Sequence, residues 1–82
     1  MSRESFRGKE FDVIDFDDVT SDERVIEFVD PERSALGSLV AVTVSGDSGW
    51  GEASVRISPR IQSVSAEFMR WALDVAHSKI AG

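Results

Sequence analysis

The spacing of apolar residues changes near residue 58, and this change limits the folds open to the chain. Between residues 51 and 57, Gly51, Ala53, Val55 and Ile57 alternate with polar residues, which predicts a strand with one buried face. From residue 64 to 80 the apolar residues recur at intervals of three and four, which predicts an amphipathic helix. Strands followed by one helix favour an antiparallel sheet with the helix on one face.

Three further strands are expected upstream. Residues 39–44 are apolar on both faces, as in a central strand, and residues 45–49 carry the Gly and Asp of a hairpin loop. Residues 11–16 and 24–29 also read as strands, separated by polar turns. The predicted fold is therefore α+β: a meander of about four strands with one C-terminal helix. We expect residues 1–9 to be a flexible tail and residues 10–82 to form a single domain.

The expected helix has an unusually wide apolar face. Its N-cap is Ser58, Ser63 or Ser65, and its apolar arc spans roughly 200°, against the roughly 100° that covering one sheet requires. Met69, Leu73 and Ile80 form the shoulder of this arc. Two interpretations remain open. Either loops and the N-terminal segment cover the shoulder, or it contacts a second chain and makes a homodimer.

Size and composition exclude several classes of protein. The chain has 82 residues and no cysteine, so disulfides and thiolate metal sites are excluded. The N-terminal residues lack the apolar run of a signal peptide, and no stretch approaches the ~20 apolar residues of a membrane span. We therefore expect a cytoplasmic protein with no membrane association.

Negative charge is concentrated in one segment. Residues 10–32 contain ten acidic residues and one basic residue, Arg24, while the whole chain has a net charge of −6. Such a segment repels nucleic acid and anionic membranes and attracts basic partners. The predicted docking residues in it are Asp15, Asp17, Asp18, Asp22 and Glu23. The alternative is an ordinary solvated face that serves solubility.

No motif supports catalysis or metal binding. Gly46, Asp47, Ser48 and Gly49 match the sequence around the nucleophile of trypsin-like proteases, but the single histidine, His77, follows Ser48 on the polar side of the expected helix. The acids after Asp15 lack the glycine and glutamate of a calcium-binding loop. We therefore predict no enzyme activity, no catalytic residues, no cofactor and no metal.

Half of the chain resembles a known group of proteins. Residues 42–44 form a valine-rich strand, residues 49–53 an aromatic-Gly-x-Ala strand start, and Phe68 and Leu73 lie along the helix. Over residues 42–82 this pattern resembles small bacterial immunity proteins of the wall-associated-toxin (WapI-like) type and related uncharacterised actinobacterial families. The connection at residues 58–64 is longer here than in those families. The resemblance implies a bacterial immunity role by analogy.

These observations favour a non-enzymatic acidic binding module of the immunity, antitoxin or inhibitor kind. Its partner would be a protein with a basic surface, such as a toxin or a nuclease, and it would not bind nucleic acid directly. Trp50, at the edge of the hairpin loop, would supply an apolar anchor or would instead pack as a lid on the core. Apolar contact would also come from the helix shoulder, Met69, Leu73 and Ile80. The alternative function is a structural homo-oligomer assembled through the C-terminal helix.

Overall fold

The computed structural model describes residues 1–81 and contains five antiparallel strands, one α-helix and two 3-10 helices, Pro31–Leu36 and Trp50–Glu52. The strands and the α-helix are β1 (Ser2–Phe6), β2 (Lys9–Asp18), β3 (Glu23–Val29), β4 (Ser38–Ser45), β5 (Ser54–Ile57) and α1 (Ala66–Ala81). The strands lie in the sheet in chain order, so the sheet is a meander. The predicted α+β class with one C-terminal helix on an antiparallel sheet is confirmed, with five strands in the sheet.

The additional strand is β1, which lies where we expected a flexible tail. Its residues pair with β2 from Ser2 opposite Val13 to Phe6 opposite Lys9. Arg7 and Gly8, with φ of 53° and 79°, form the two-residue turn between the strands. Residues 2–6 include a single apolar side chain, Phe6, so they show no alternation from which a strand is predicted. The backbone pairing and the packing of Phe6 hold this segment on the sheet.

The core lies between α1 and one face of the sheet. Val13, Phe28 and Val40 stand side by side on β2, β3 and β4 and are fully buried. Ala72 and Ala76 of α1 are also fully buried, and their small side chains let the helix approach the strands closely. The Trp71 ring lies 5.3–5.7 Å from four phenylalanine rings, those of Phe6, Phe11, Phe28 and Phe68. The apolar stripe of the helix is thus its sheet-facing side.

The helix begins after Ser65. The Ser65 hydroxyl accepts a hydrogen bond from the Phe68 N–H at 3.1 Å, as an N-cap does. Ser58, another candidate cap, is buried elsewhere and donates its hydroxyl to the Leu36 carbonyl at 2.7 Å. In the described part of the chain, α1 is too short and too polar to cross a membrane.

The last strand is shorter than the alternation predicted. Residues 51–57 were expected to be extended, but Trp50–Glu52 form a short 3-10 helix and only Ser54–Ile57 pair with β4. Val55 and Ile57, expected on the core face, are 41% and 40% exposed. Their exposure follows from the position of β5 at the edge of the sheet, outside the core cluster. β4 lies inside the sheet between β3 and β5, as its apolar composition predicts.

Candidate functional site

The face of the sheet opposite α1 carries a mixture of acidic and apolar side chains. Cross-strand pairing defines its rows, because directly paired residues point to the same side. One row places Asp18 beside Glu23, and a second places Phe16 beside Val25. A third row contains Ile14, Glu27, Ala41 and Arg56. We call this surface the open face.

A groove of about 370 Å³ runs along the open face. Phe16, Val25 and Ala41 contribute apolar surface from the strands, and Phe16 is 39% exposed. Leu36 adds apolar surface from the segment before β4. Ile57 borders the groove at the edge of the sheet, where it pairs with the core residue Val40. The charged side chains in its lining are Asp18, Glu23, Glu27 and Arg56. The groove therefore combines apolar surface with a local charge of −2.

Two of these carboxylates face each other. Asp18 and Glu23 are paired directly across β2 and β3, an arrangement of like charges that destabilises a sheet. Within residues 1–81, neither Asp18, Glu23 nor Glu27 has a cationic side chain within salt-bridge distance. The Asp18 carboxylate also accepts the Thr20 N–H at 3.0 Å, so it helps to shape the turn after β2. A cation brought to this pair would relieve its repulsion.

Asp15 and Asp17 lie on the other face of β2, at the side that α1 covers. Asp15 binds Arg24 through two hydrogen bonds of 2.8 and 3.1 Å. This contact with the guanidinium lowers the pKa of the Asp15 carboxyl. Asp17 pairs with Arg24 across the strands on the same face. Asp22 is in the β2–β3 turn with φ of 55°, and its carbonyl accepts the Gly46 N–H at 2.8 Å.

The apolar residues that we expected to bind a partner belong to the helix layer. Trp50 is half-buried and stacks on His77, with ring centroids 4.7 Å apart and an interplanar angle of 22°. Met69, Leu73 and Ile80 are also half-buried and pack against the core cluster. The predicted docking residues are thus divided between two faces and a turn. Asp18 and Glu23 line the groove, whereas Asp15, Asp17, Asp22, Trp50, Met69, Leu73 and Ile80 do not.

Sequence reasoning missed Phe16, Val25 and Glu27 as residues of the candidate site. The predicted strand 11–16 ends at Phe16, and Glu27 belongs to both the predicted strand 24–29 and the acidic segment, but neither residue is among the predicted docking residues. A usable signal existed, because Ile14, Phe16 and Asp18 occupy alternate positions and share a face of any continuous strand. Among the exposed large hydrophobic residues in the described chain, Phe16, Val19, Val55 and Ile57 lie on or beside the sheet.

Within residues 1–81, no group of three or more His, Asp or Glu side chains has the geometry of a metal site. The acids of the groove are spread along a surface, where they can form ion pairs and hydrogen bonds with a partner. Comparisons with protein families, curated proteins and solved structures found nothing that matches this chain. The resemblance to immunity proteins therefore stays a prediction.

Proposed function

We propose that the protein is a non-enzymatic acidic binding module and that the groove of the open face receives a basic segment of a partner protein. One observation carries the proposal: Asp18, Glu23 and Glu27 have no salt-bridge partner among residues 1–81 and stand beside the exposed ring of Phe16. Apolar surface supplies affinity, and matched charges supply specificity and rapid association. A partner segment with lysine or arginine next to apolar side chains would satisfy both.

An inhibitor of the immunity or antitoxin kind is the protein class that fits this arrangement best. Toxins that cleave or bind nucleic acid have basic surfaces, because they must neutralise phosphates. An acidic groove can occupy such a surface and block it. The helix is a poorer candidate for docking, since Met69, Leu73 and Ile80 already pack against the core. Self-association through these residues, the alternative function, would use only the part of each side chain that stays exposed.

The first experiment measures binding of a short peptide in which lysine alternates with leucine and phenylalanine. Its control is the same peptide with glutamate in place of lysine. In heteronuclear NMR, the lysine peptide is expected to shift the amide signals of Phe16, Val25 and Ala41, and binding should weaken as salt rises from 50 to 300 mM, two conditions chosen to bracket physiological screening at about 150 mM. Equal binding of both peptides would contradict the charge requirement.

Charge variants test the location of the site. Glu23→Gln with Glu27→Gln removes two carboxylates from the open face, and we expect affinity for the lysine peptide to fall by up to about fivefold for each. The matched control is Glu52→Gln with Asp74→Asn, which removes two exposed carboxylates from the helix layer. If the control weakens binding as much as the groove variant, long-range charge alone is acting and the groove is not the site. A stable dimer in sedimentation, disrupted by Leu73→Asp, would favour the oligomer instead.

A further inference from the structure

A second concave site lies on the helix side of the sheet, near the β1–β2 turn. It is an open cavity of about 520 Å³, within the range of roughly 300–1,000 Å³ that small-molecule sites occupy. Six apolar side chains line it, from β1, β2, β4, the loop before the helix and α1 itself. They are Phe6, Phe11, Leu39, Ile61, Val64 and Phe68. We call it the turn cavity.

The charge of the turn cavity is opposite to that of the chain. Arg7, Lys9 and Arg33 are in its lining, and the acid among the lining residues is Asp30. The lining therefore has a formal charge of +2, in a chain of net charge −6. Asp30 is only 2% exposed, and its carboxylate already forms salt bridges with Lys9 at 3.3 Å and with Arg33 at 3.2 Å. Lys9 also pairs with Glu32, a side chain that is 77% exposed, so an incoming anion would have to displace an exposed glutamate to reach Lys9.

The cations are positioned at the border between the apolar surface and water. The Arg7 guanidinium lies 5.5 Å from the centre of the Phe6 ring, and the Lys9 ammonium lies 5.8 Å from that of Phe11. Arg7 also pairs with Glu67, but both side chains are about two-thirds exposed, at 65% and 68%. Such an exposed pair is weak and can exchange for another anion.

The start of the helix adds to the positive potential. Ser63, Val64 and Ser65 form one wall of the turn cavity and lead directly into the 16-residue α1. The N-terminal end of a helix has a partial positive charge from its aligned peptide dipoles. The cavity thus has an apolar interior, the N-terminal end of α1 in its wall and three cationic side chains at its rim. Each cation is paired with a carboxylate, and the partners Glu32 and Glu67 are exposed enough to exchange for another anion.

From this arrangement we propose that the turn cavity binds a single-chain amphiphile with a carboxylate head group. The apolar chain lies against Phe68, Leu39 and Ile61, and the carboxylate is held by Arg7 and its neighbouring cations. Different lining residues contact the apolar chain and the carboxylate of the ligand, so recognition of each can be tested separately. The cavity and the groove of the open face are on opposite sides of the sheet, and each binding activity can fail without the other.

Decanoate is a suitable probe, and tryptophan fluorescence a suitable readout. Trp71 lies 5.3 Å from Phe6 and 5.5 Å from Phe68, both of which line the cavity. Trp50→Phe leaves Trp71 as the single tryptophan. Below its critical micelle concentration, decanoate is expected to change this fluorescence to saturation. Decanol should bind up to about fivefold more weakly, as expected for loss of one exposed ion pair, and decyltrimethylammonium should bind more weakly still.

Variants at the rim decide whether the carboxylate is held where proposed. Arg7→Gln is expected to weaken decanoate binding up to about fivefold without weakening decanol. Arg70→Gln, an equal charge change on the exposed side of α1, should leave both unchanged. Equal binding of decanoate and decanol, or an unaltered affinity in Arg7→Gln, would overturn the assignment of the head group. If the fluorescence change does not saturate with decanoate, or if decanoate instead reduces the helical circular dichroism signal, the proposed site is overturned.

Discussion

Replacing the buried carboxylate Asp30 should destabilise the fold in a pH-dependent manner. Asp30 follows β3 directly, is the N-cap of the 3-10 segment Pro31–Leu36 and is 2% exposed. Its oxygens accept hydrogen bonds from the Glu32 N–H at 2.9 Å and from Arg33 at 3.2 Å, and the Lys9 ammonium lies 3.3 Å away. The carboxylate therefore connects the β1–β2 hairpin to the 3-10 segment Pro31–Leu36.

The size of the effect follows from these three contacts. Asp30→Ala removes a cap, worth about 1 kcal/mol, and charge-assisted hydrogen bonds worth about 1.5–3 kcal/mol when buried. Lys9 and Arg33 are 39% and 64% exposed, so the second figure is reduced by hydration of the released cations. We expect Asp30→Ala to lower the free energy of unfolding by about 2–3 kcal/mol. Asp30→Asn keeps an acceptor for the Glu32 N–H and should lower it by about 1–2 kcal/mol.

The pH dependence has a definite sign. Burial raises the pKa of the Asp30 carboxyl, but the Glu32 N–H, Arg33 and Lys9 together outweigh burial, so its pKa lies below the ordinary 3.8. The stabilisation is therefore present above about pH 4 and is lost as the pH falls through the folded-state pKa. Wild type should lose more stability between pH 6 and pH 3 than Asp30→Asn does.

Urea denaturation followed by circular dichroism at both pH values measures this difference. The matched control is Asp74→Asn, which neutralises an exposed carboxylate of α1 and should change stability by under about 0.5 kcal/mol. The reasoning is refuted if Asp30→Asn and Asp74→Asn are equally stable at neutral pH. It is also refuted if the difference between Asp30→Asn and wild type is the same at pH 3 and pH 6.

Three further substitutions test local features, each by urea denaturation. Ser65→Ala should lower stability by about 1 kcal/mol through loss of the N-cap, whereas Ser63→Ala should leave stability unchanged. A larger loss of stability in Ser63→Ala than in Ser65→Ala would mean that the helix does not begin after Ser65. Gly37→Ala should lower the free energy of unfolding by about 1–3 kcal/mol, because Gly37 has φ of 72° and ψ of −152°. Gly51→Ala should have a smaller effect, because Gly51 has no positive φ and a Cβ there would meet open space. Phe6→Ala should lower the free energy of unfolding by about 2 kcal/mol, because the Phe6 ring packs edge-on against Phe68 with the ring centres 5.5 Å apart. An unchanged stability would mean that β1 adds nothing to the fold.

Most of the fold follows from the alternation and periodicity of apolar residues. β3 and β4 contain enough β-branched residues to be recognised as strands, and the stripe on residues 64–80 identifies the helix. β1 could not be predicted in this way. Its order depends on pairing with β2 and on one ring, Phe6, that reaches the helix layer. Both are tertiary contacts that its own composition does not encode.

The candidate site was less predictable because one or two residues at the end of β2 decide which acids share a surface. The segment from residue 17 to 23 reads as a loop, and acids in a loop can all face one partner. In the structure β2 continues to Asp18, so the consecutive residues Asp17 and Asp18 must point to opposite faces. Asp17 then lies on the side of the core, and Asp18 joins Glu23 and Phe16 on the open face. The groove therefore owes its charge to strand length as much as to composition, and a partner should respond to Glu23 and Glu27 far more than to Asp15 or Asp17.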